Sequence, residues 1–410
     1  MLYKSLAAGV IAFGLPTFAS ATLIFTTSMG ANATDPGWLS TIKYADGKLE
    51  LINKQLSICG VNPSWLEFAG DHIYCLDEDW YSAAAGAAGG ALNTLKTTRD
   101  GTNLTSVGQP LKTLPGPVSS VRFGQSLKGL AIASYGGNGT QSYDISSPDA
   151  PKVVQELTID NFTPKKDADP QQQLQPRPHH VVLDPTGDFI VAPDLGSDLL
   201  RIFKVDKNTL KYVEAKTVPT PDLSGPRHGA FAKVGSETYF YVITERSNEI
   251  IGWKVTYNSD GLDFGKELFI IPSHGPGSAA LPTTARGAEL VISPDSKFLL
   301  VSSRFENSLR IPNPEDKELG KVQSDPIINY AIQADGTLKL QQISAAGGIN
   351  PRHFSISKDG SLVVTALQKD GRVALIKRDV QTGNLTEIAG AVHVGGDTTF
   401  ARFKEDTNCA

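Results

Sequence analysis

The sequence predicts an all-β chain folded as a seven-bladed β-propeller of four-stranded antiparallel blades, its ring closed by the N- and C-terminal strands. The first observation behind this is a repeat. A phrase of strand, tight turn and strand occurs as NPSWLEFAGDHIYCL from Asn62, SSVRFGQSLKGLAIAS from Ser119, PHHVVLDPTGDFIVAP from Pro178, GPRHGAFAKVGSETYFYVIT from Gly225, GAELVISPDSKFLLVSS from Gly287 and NPRHFSISKDGSLVVTA from Asn350. Intervals of about 50 to 60 residues suit four-stranded blades with insertions. The second is composition: 39 glycines and 25 prolines among 410 residues, with two methionines and no sustained 3.6-residue period, suit a turn-rich β chain.

The elements follow in order. Residues 1–21, MLYKSLAAGVIAFGLPTFASA, combine Lys4, an apolar run and the small residues Ala19, Ser20 and Ala21, which reads as a secretory signal cleaved after Ala21. Residues 22–410 read as a single domain, since no linker divides the repeats. Within 22–58, TLIFTTSM, WLSTIKYAD and KLELINKQL are three strands lacking a leading one, and TTFARF at Thr398–Phe403 supplies it. Joined, they make the seventh blade and leave no open sheet edge. The run AAAGAAGG at Ala83–Gly90 reads as a mobile loop in the first unit, and His179–Asp206 as strands VVL, FIVA and LLRIFKV joined by the turns DPTGD and PDLGSD.

A secreted chain makes other signals readable. Asn32, Asn103, Asn138, Asn161 and Asn384 each begin an N-x-S/T sequon, an acceptor site for glycosylation. Of three cysteines, Cys59 and Cys75 are expected near the same face of the disc and are predicted to pair, leaving Cys409 over. The tail ARFKEDTNCA holds no second hydrophobic stretch, so no transmembrane anchor is expected, and the setting is extracellular or cell wall. A formal charge of −5 gives no reason to expect nucleic acid.

In each repeat the start of the first strand and the end of the second reach one face of the disc. That face collects His179 and His180, Arg227 and His228, and Arg352 and His353 at strand starts, with Arg286 just ahead of the GAELV strand. At the ends of second strands come Asp77, Glu78, Asp194, Glu245 and Arg304. A single histidine packs more often than it reacts, and adjacent histidines on a strand point to opposite faces, so at most one of His179 and His180 is expected in the channel, with the other between blades. Convergence changes the weight. Several arginines round one mouth suit a small anionic partner, since guanidinium binds carboxylate or phosphate through two parallel hydrogen bonds. No G-x-S-x-G elbow and no HExxH motif occur, and GGNGT at Gly136–Thr140 precedes no helix, so neither a serine triad, a metal nor another cofactor is expected.

The phrases PHHVVLDPTGDFIVAPDLGSD, GPRHGAF, VITERSN, GAELVISPDSKFLLVSSR and NPRHFSISKDG resemble, in order, the lactonase family of seven-bladed propellers, which includes fungal 3-carboxy-cis,cis-muconate cyclases and bacterial 6-phosphogluconolactonases. The resemblance covers nearly all of residues 22–403. It implies His179 as the catalytic histidine, with Arg227, Glu245 and Arg304 as catalytic partners; His180, His228, Arg286, Arg352 and His353 are then substrate contacts. Two positions depart from the family pattern: Arg177 and Val291 stand where members often carry histidines. The resemblance implies a muconate cyclase-like enzyme, in which Arg227 and Arg304 polarise carboxylates and His179 or Glu245 moves a proton. The alternatives are a non-catalytic glycoprotein that binds through the propeller face, and a 6-phosphogluconolactonase-like hydrolase in which Glu245 or His179 activates water.

Overall fold

The computed structural model describes residues 22–30, 35–78, 89–259 and 261–404. The signal segment, Asn32, most of the AAAGAAGG run and Cys409 lie outside them. Seven blades are present, each an antiparallel sheet whose successive strands are hydrogen-bonded neighbours. Blade 1 has its inner strand at Pro63–Ala69 and its second at His72–Asp77; in blade 2 these are Pro117–Phe123 and Gly129–Ser134, and in blade 3 Val182–Leu183 and Phe189–Asp194. The inner strands of blades 4, 5 and 6 are Pro226–Val234, Arg286–Ile292 and Pro351–Ile356. Blade 5 carries an extra hairpin, Leu309–Pro312 with Lys321–Ser324, between its second and third strands.

Blade 7 is the predicted composite. Asp397–Lys404 forms its inner strand and pairs with Thr22–Met29, from Leu23 opposite Lys404 to Met29 opposite Asp397. Side chains lock the join: Thr26 Oγ1 donates to the Phe400 carbonyl at 2.7 Å, and Thr399 Oγ1 donates to that of Pro63 at 2.7 Å, tying blade 7 to blade 1. The cores lie between blades rather than within one. Phe189 and Val191 of blade 3 pack with Phe240, Val242 and Trp253 of blade 4, and each blade boundary repeats the theme.

Cys59 and Cys75 form the predicted disulfide, with Cα atoms 5.9 Å apart. It ties the segment entering blade 1 to that blade's second strand. Gly60 follows at φ +88°, and a Cβ there would fall 1.8 Å from Asp77 Oδ2. Glycine lets that carboxylate reach the amides of Val61 and Asn62.

One irregularity recurs in every blade. Where the inner strand begins, it carries one residue more than the strand beside it, a β-bulge. Pro63 and Trp65 pair with Asp77 and Leu76, so Ser64 is extra; Val118, Arg227, Arg352 and Thr399 are extra in the same way in blades 2, 4, 6 and 7. In blade 5, Ala288 and Glu289 lie opposite one residue, and in blade 3 the chain from Pro178 to Val182 gains one on its partner. The blade 3 inner strand is thus shorter than the predicted VVL, because the bulge at His179–Val181 interrupts the ladder.

Candidate active site

The bulges build the site. Ser64, Val118, His179, Arg227, Arg352 and Thr399, the extra residues of six blades, line a cleft at the channel mouth together with Trp65, His228 and His353. The cleft is shallow and open to solvent, with about 10 Å³ of room inside, space for about one water molecule. The residue after each bulge closes its floor. Trp65 meets the rings of His180, His228 and His353 with centroids 5.7, 6.0 and 5.4 Å apart, and that of Phe400 at 5.0 Å. Side chains of blades 1, 3, 4, 6 and 7 touch one another only if they meet at the axis, so this aromatic layer plugs the channel.

The charged groups form one network around the cleft. Arg227, 1% exposed, donates through Nε to Glu245 Oε2 at 2.9 Å and through Nη1 to the Ala288 carbonyl at 2.8 Å. Arg304 Nη2 lies 3.0 Å from the same Glu245 oxygen, and Gln172 Nε2 donates to the other at 2.8 Å. Arg352 Nη2 pairs with Glu78 Oε1 at 3.2 Å. Arg177 stacks over the Tyr135 ring at 4.5 Å, and that ring stands 5.5 Å from the ring of His179. Arg227, Arg304 and Arg352 thus pair with Glu245 and Glu78, while Arg177 directs its guanidinium to the carbonyls of Tyr135 and Gln171.

The histidines form a second network. His179 Nδ1 is 3.2 Å from His228 Nε2, and His228 Nδ1 is 2.9 Å from Glu289 Oε1. His353 Nε2 lies 3.5 Å from Glu289 Oε2, while His180 stacks on His228 at 4.4 Å. Burial, reinforced by Arg227 and His228, holds His179 well below the ordinary histidine range. Burial depresses His180 and His228 likewise and brings His353 to about 3. The rings are therefore neutral, and the contact between His228 and Glu289 is a hydrogen bond rather than an ion pair. Burial alone would raise Glu245; Arg304 and Arg227 reverse it and hold the carboxyl at about 2. Burial raises Glu78 despite Arg352 and pushes the Tyr135 hydroxyl up to about 12.

The structure gathers the predicted site residues near the mouth, but of them only His179, Arg227, His228, Arg352 and His353 line the cleft, with His180, Glu245 and Arg304 behind it; three further differences appear. Asp194 is consumed by Arg201 Nε at 2.7 Å and by the amides of Arg177 and Ser197, and Asp77 holds backbone amides, so neither adds charge to the cleft. His179 and His180 do not divide between channel and blade interface: the bulge suspends strand alternation, and both rings stay near the axis. Arg286 turns its guanidinium to the carbonyls of Thr283 and Ala285 rather than lining the cleft. Sequence reasoning missed Trp65, Glu289, Tyr135 and Gln172. Aligning the repeats at the bulge exposes the first two, since the W of NPSW and the E of GAE stand where GPRH and NPRH have histidine. Tyr135 and Gln172 lie on connections with no such register. Among the described residues no group of three or more His, Cys, Asp or Glu is arranged to hold a metal ion, and no helix is long and apolar enough to cross a membrane. Asn103 and Asn161 are exposed, whereas Asn138 is half-buried with its Nδ2 donating to the Ile159 carbonyl at 3.2 Å, and Asn384 is half-buried.

Residues 24–401 match the family model described as lactonase, 7-bladed beta-propeller. The chain belongs to this lactonase family. A protein of the fungus Arthroderma benhamiae named "Probable 6-phosphogluconolactonase" is 30% identical over 333 residues, covering 79% of this chain and 75% of that one. The 6-phosphogluconolactonase of Bacillus subtilis is 27% identical over 228 residues, 55% of this chain and 56% of its own. Among solved structures, the periplasmic gluconolactonase of Pseudomonas aeruginosa superposes with a TM-score of 0.76 at 20% identity, covering 94% of this chain and all of that one, which shows the shared fold.

Proposed function

We propose that the chain is a hydrolase that opens the lactone of an anionic sugar acid, the 6-phosphogluconolactonase-like reading. The observation that carries it is His179: a neutral imidazole in the cleft wall whose Nε2 makes no hydrogen bond to any described residue. Such a nitrogen can take a proton from water. The hydroxide oxygen adds to the lactone carbonyl, and the charge that develops on the carbonyl oxygen is stabilised by Arg227 and Arg352, which line the cleft. Collapse breaks the ring C–O bond; the departing oxygen takes the proton back from His179, and the product is a hydroxy acid. Glu245, ionised and shared by two arginines, orients the guanidinium groups and moves no proton. The names of the family relatives support the same reading.

The cyclase reading fits less well. Closing a muconate requires an acid that delivers a proton to carbon, and neither a neutral buried His179 nor a Glu245 held at about 2 is suited to that. Secretion is part of the proposal. The apolar leader and the Cys59–Cys75 bond support an oxidising compartment.

Ring opening of gluconolactone and of 6-phosphogluconolactone, followed by acid release, tests the reading. Wild-type turnover should exceed that of His179→Gln by about 10²- to 10⁴-fold at an unchanged unfolding midpoint. Equal rates for the two proteins would remove His179 from the mechanism.

A further inference from the structure

A base needs a lone pair in the right place. A neutral imidazole carries its single proton on either nitrogen, and only one of the two tautomers leaves His179 Nε2 bare. The contacts behind His179 select between them. Glu289 is 3% exposed; its Oε1 accepts the Leu290 amide at 3.0 Å and lies 2.9 Å from His228 Nδ1. A carboxylate only accepts, so His228 carries its proton on Nδ1 and its Nε2 is bare. That bare nitrogen stands 3.2 Å from His179 Nδ1. Two bare nitrogens would face each other without a bond, so His179 Nδ1 holds the proton and donates it, leaving Nε2 free.

We infer that Glu289 and His228 are a positioning pair that fixes the tautomer of His179 with Nε2 as the base. The inference rests on the proposed role of His179. The three side chains come from blades 5, 4 and 3, so the pair works across the axis. His228 borders the cleft, but its lone pair is spent on His179. On the far side Glu289 Oε2 makes no hydrogen bond and stands 3.5 Å from His353 Nε2, whose ring is held by the backbone of Ala401 and by Phe400 at 4.1 Å. The arrangement follows the logic by which an acid orients a catalytic histidine in serine hydrolases, with a second histidine interposed.

The test is spectroscopic and needs no substrate. The full chain, with seven histidines, is labelled with ¹⁵N in the imidazole rings, and His179 is assigned from the signals lost in His179→Gln. Wild type should show His179 protonated at Nδ1 and bare at Nε2. Glu289→Gln should keep that pattern, because two donors, Leu290 N–H and His228 Nδ1–H, converge on one point and hold the amide oxygen there, while the amide NH₂ faces His353. Glu289→Leu removes the acceptor: the His179 signature should mix or invert, and kcat should fall by about 10²- to 10⁴-fold with KM little changed. A wild-type His179 protonated at Nε2, a tautomer indifferent to Glu289→Leu, or Glu289→Gln as damaging as Glu289→Leu would each overturn the inference. If Glu289→Leu does not fold, the wild-type and Glu289→Gln spectra still decide. If wild type opens neither lactone while the tautomer is as expected, the hydrolase reading fails and the tautomer relay stands.

Discussion

Each inner strand has two unlike ends. At the mouth, the bulged residues and those after them include His179, Arg227, His228, Glu289, Arg352 and His353, all touching partners in other blades. Two residues beyond this layer stand Glu67, Val121, Val182, Ala230, Val291, Ser355 and Arg402, every one half-buried. Four of these seven are apolar, and Arg402 reaches Glu67 only at a loose 3.7 Å. The same seven strands thus carry a dense charged network at one end and a quiet ring at the other. The difference lies in the backbone. One extra residue per strand breaks alternation and turns side chains toward the axis, whereas beyond the bulge the regular ladder returns them to their neighbours.

The harshest way to break the comparison is to remove one strand from both rings. Truncation after Gly396 deletes Thr399 from the mouth and Arg402 from the quiet ring, and leaves Thr22–Met29, buried through most of its length, as an open edge. The cooperative thermal transition followed by circular dichroism should be lost. A truncated chain that melts at the wild-type midpoint would mean that the closure adds nothing.

A gentler test makes one substitution at both ends. Arg227→Met leaves Glu245 buried with one guanidinium fewer and should cost about 3–5 kcal/mol as well as turnover. Arg402, with its side chain 41% exposed and its carboxylate 3.7 Å away, should cost about 0–1 kcal/mol when changed to Met and leave turnover intact. Urea unfolding and lactone assays on the two variants read the asymmetry directly; equal costs would erase it.

Acid should also find the mouth first. His353 titrates near 3 when folded, against about 6.5 for an unfolded histidine. Between those values the unfolded chain binds the proton the folded one refuses, so stability falls as the pH drops from about 6.5 toward 3. Glu245, held at about 2, adds a second loss as the pH falls below about 4.3, the unfolded glutamate value. Glu67 and, at the mouth itself, Glu78 have the opposite sign: burial raises both carboxyls, so the folded state binds the extra proton above the unfolded value and stability falls as the pH rises through that window. Unfolding midpoints measured from pH 7 to 3 should decline on acidification, and the upper step should shrink in His353→Phe. A flat profile would mean that the mouth histidines bind protons as readily in the folded state as in the unfolded one.

Much of this was legible in sequence, for a definite reason. The repeat phrase encodes strand, turn and strand, so six blades, the composite seventh and the shared face of Arg227, Glu245 and Arg304 followed from strand direction alone. The disulfide followed the same way, since Cys59 and Cys75 were assigned to one face. What strand alternation could not reach was the bulge, because a single added residue leaves the apolar pattern on either side intact. That is why strand alternation divides His179 and His180 between two faces, and why it gives Trp65 and Glu289 no weight although they share a column with His228 and His353. Burial was also hidden: arginines at a strand start look solvated, yet Arg227 is 1% exposed.

The smallest expected effect tests the boundary between the two rings. The resemblance places Val291 where family members often carry histidine, and that departure would weigh against lactone chemistry if the position belonged to the mouth. It lies two residues past Glu289, opposite Leu300 in a regular stretch, and packs with the core shared by blades 5 and 6. Between it and the cleft stand Trp65, His353 and Phe400. A histidine there would face the quiet ring beneath the aromatic plug, out of reach of a substrate held by Arg227 and His179. Val291→His should therefore cost about 1–3 kcal/mol of stability from crowding and change kcat/KM by less than about twofold. A rise or fall in kcat/KM of tenfold or more would show that the plug is open to substrate and that the two rings form one site.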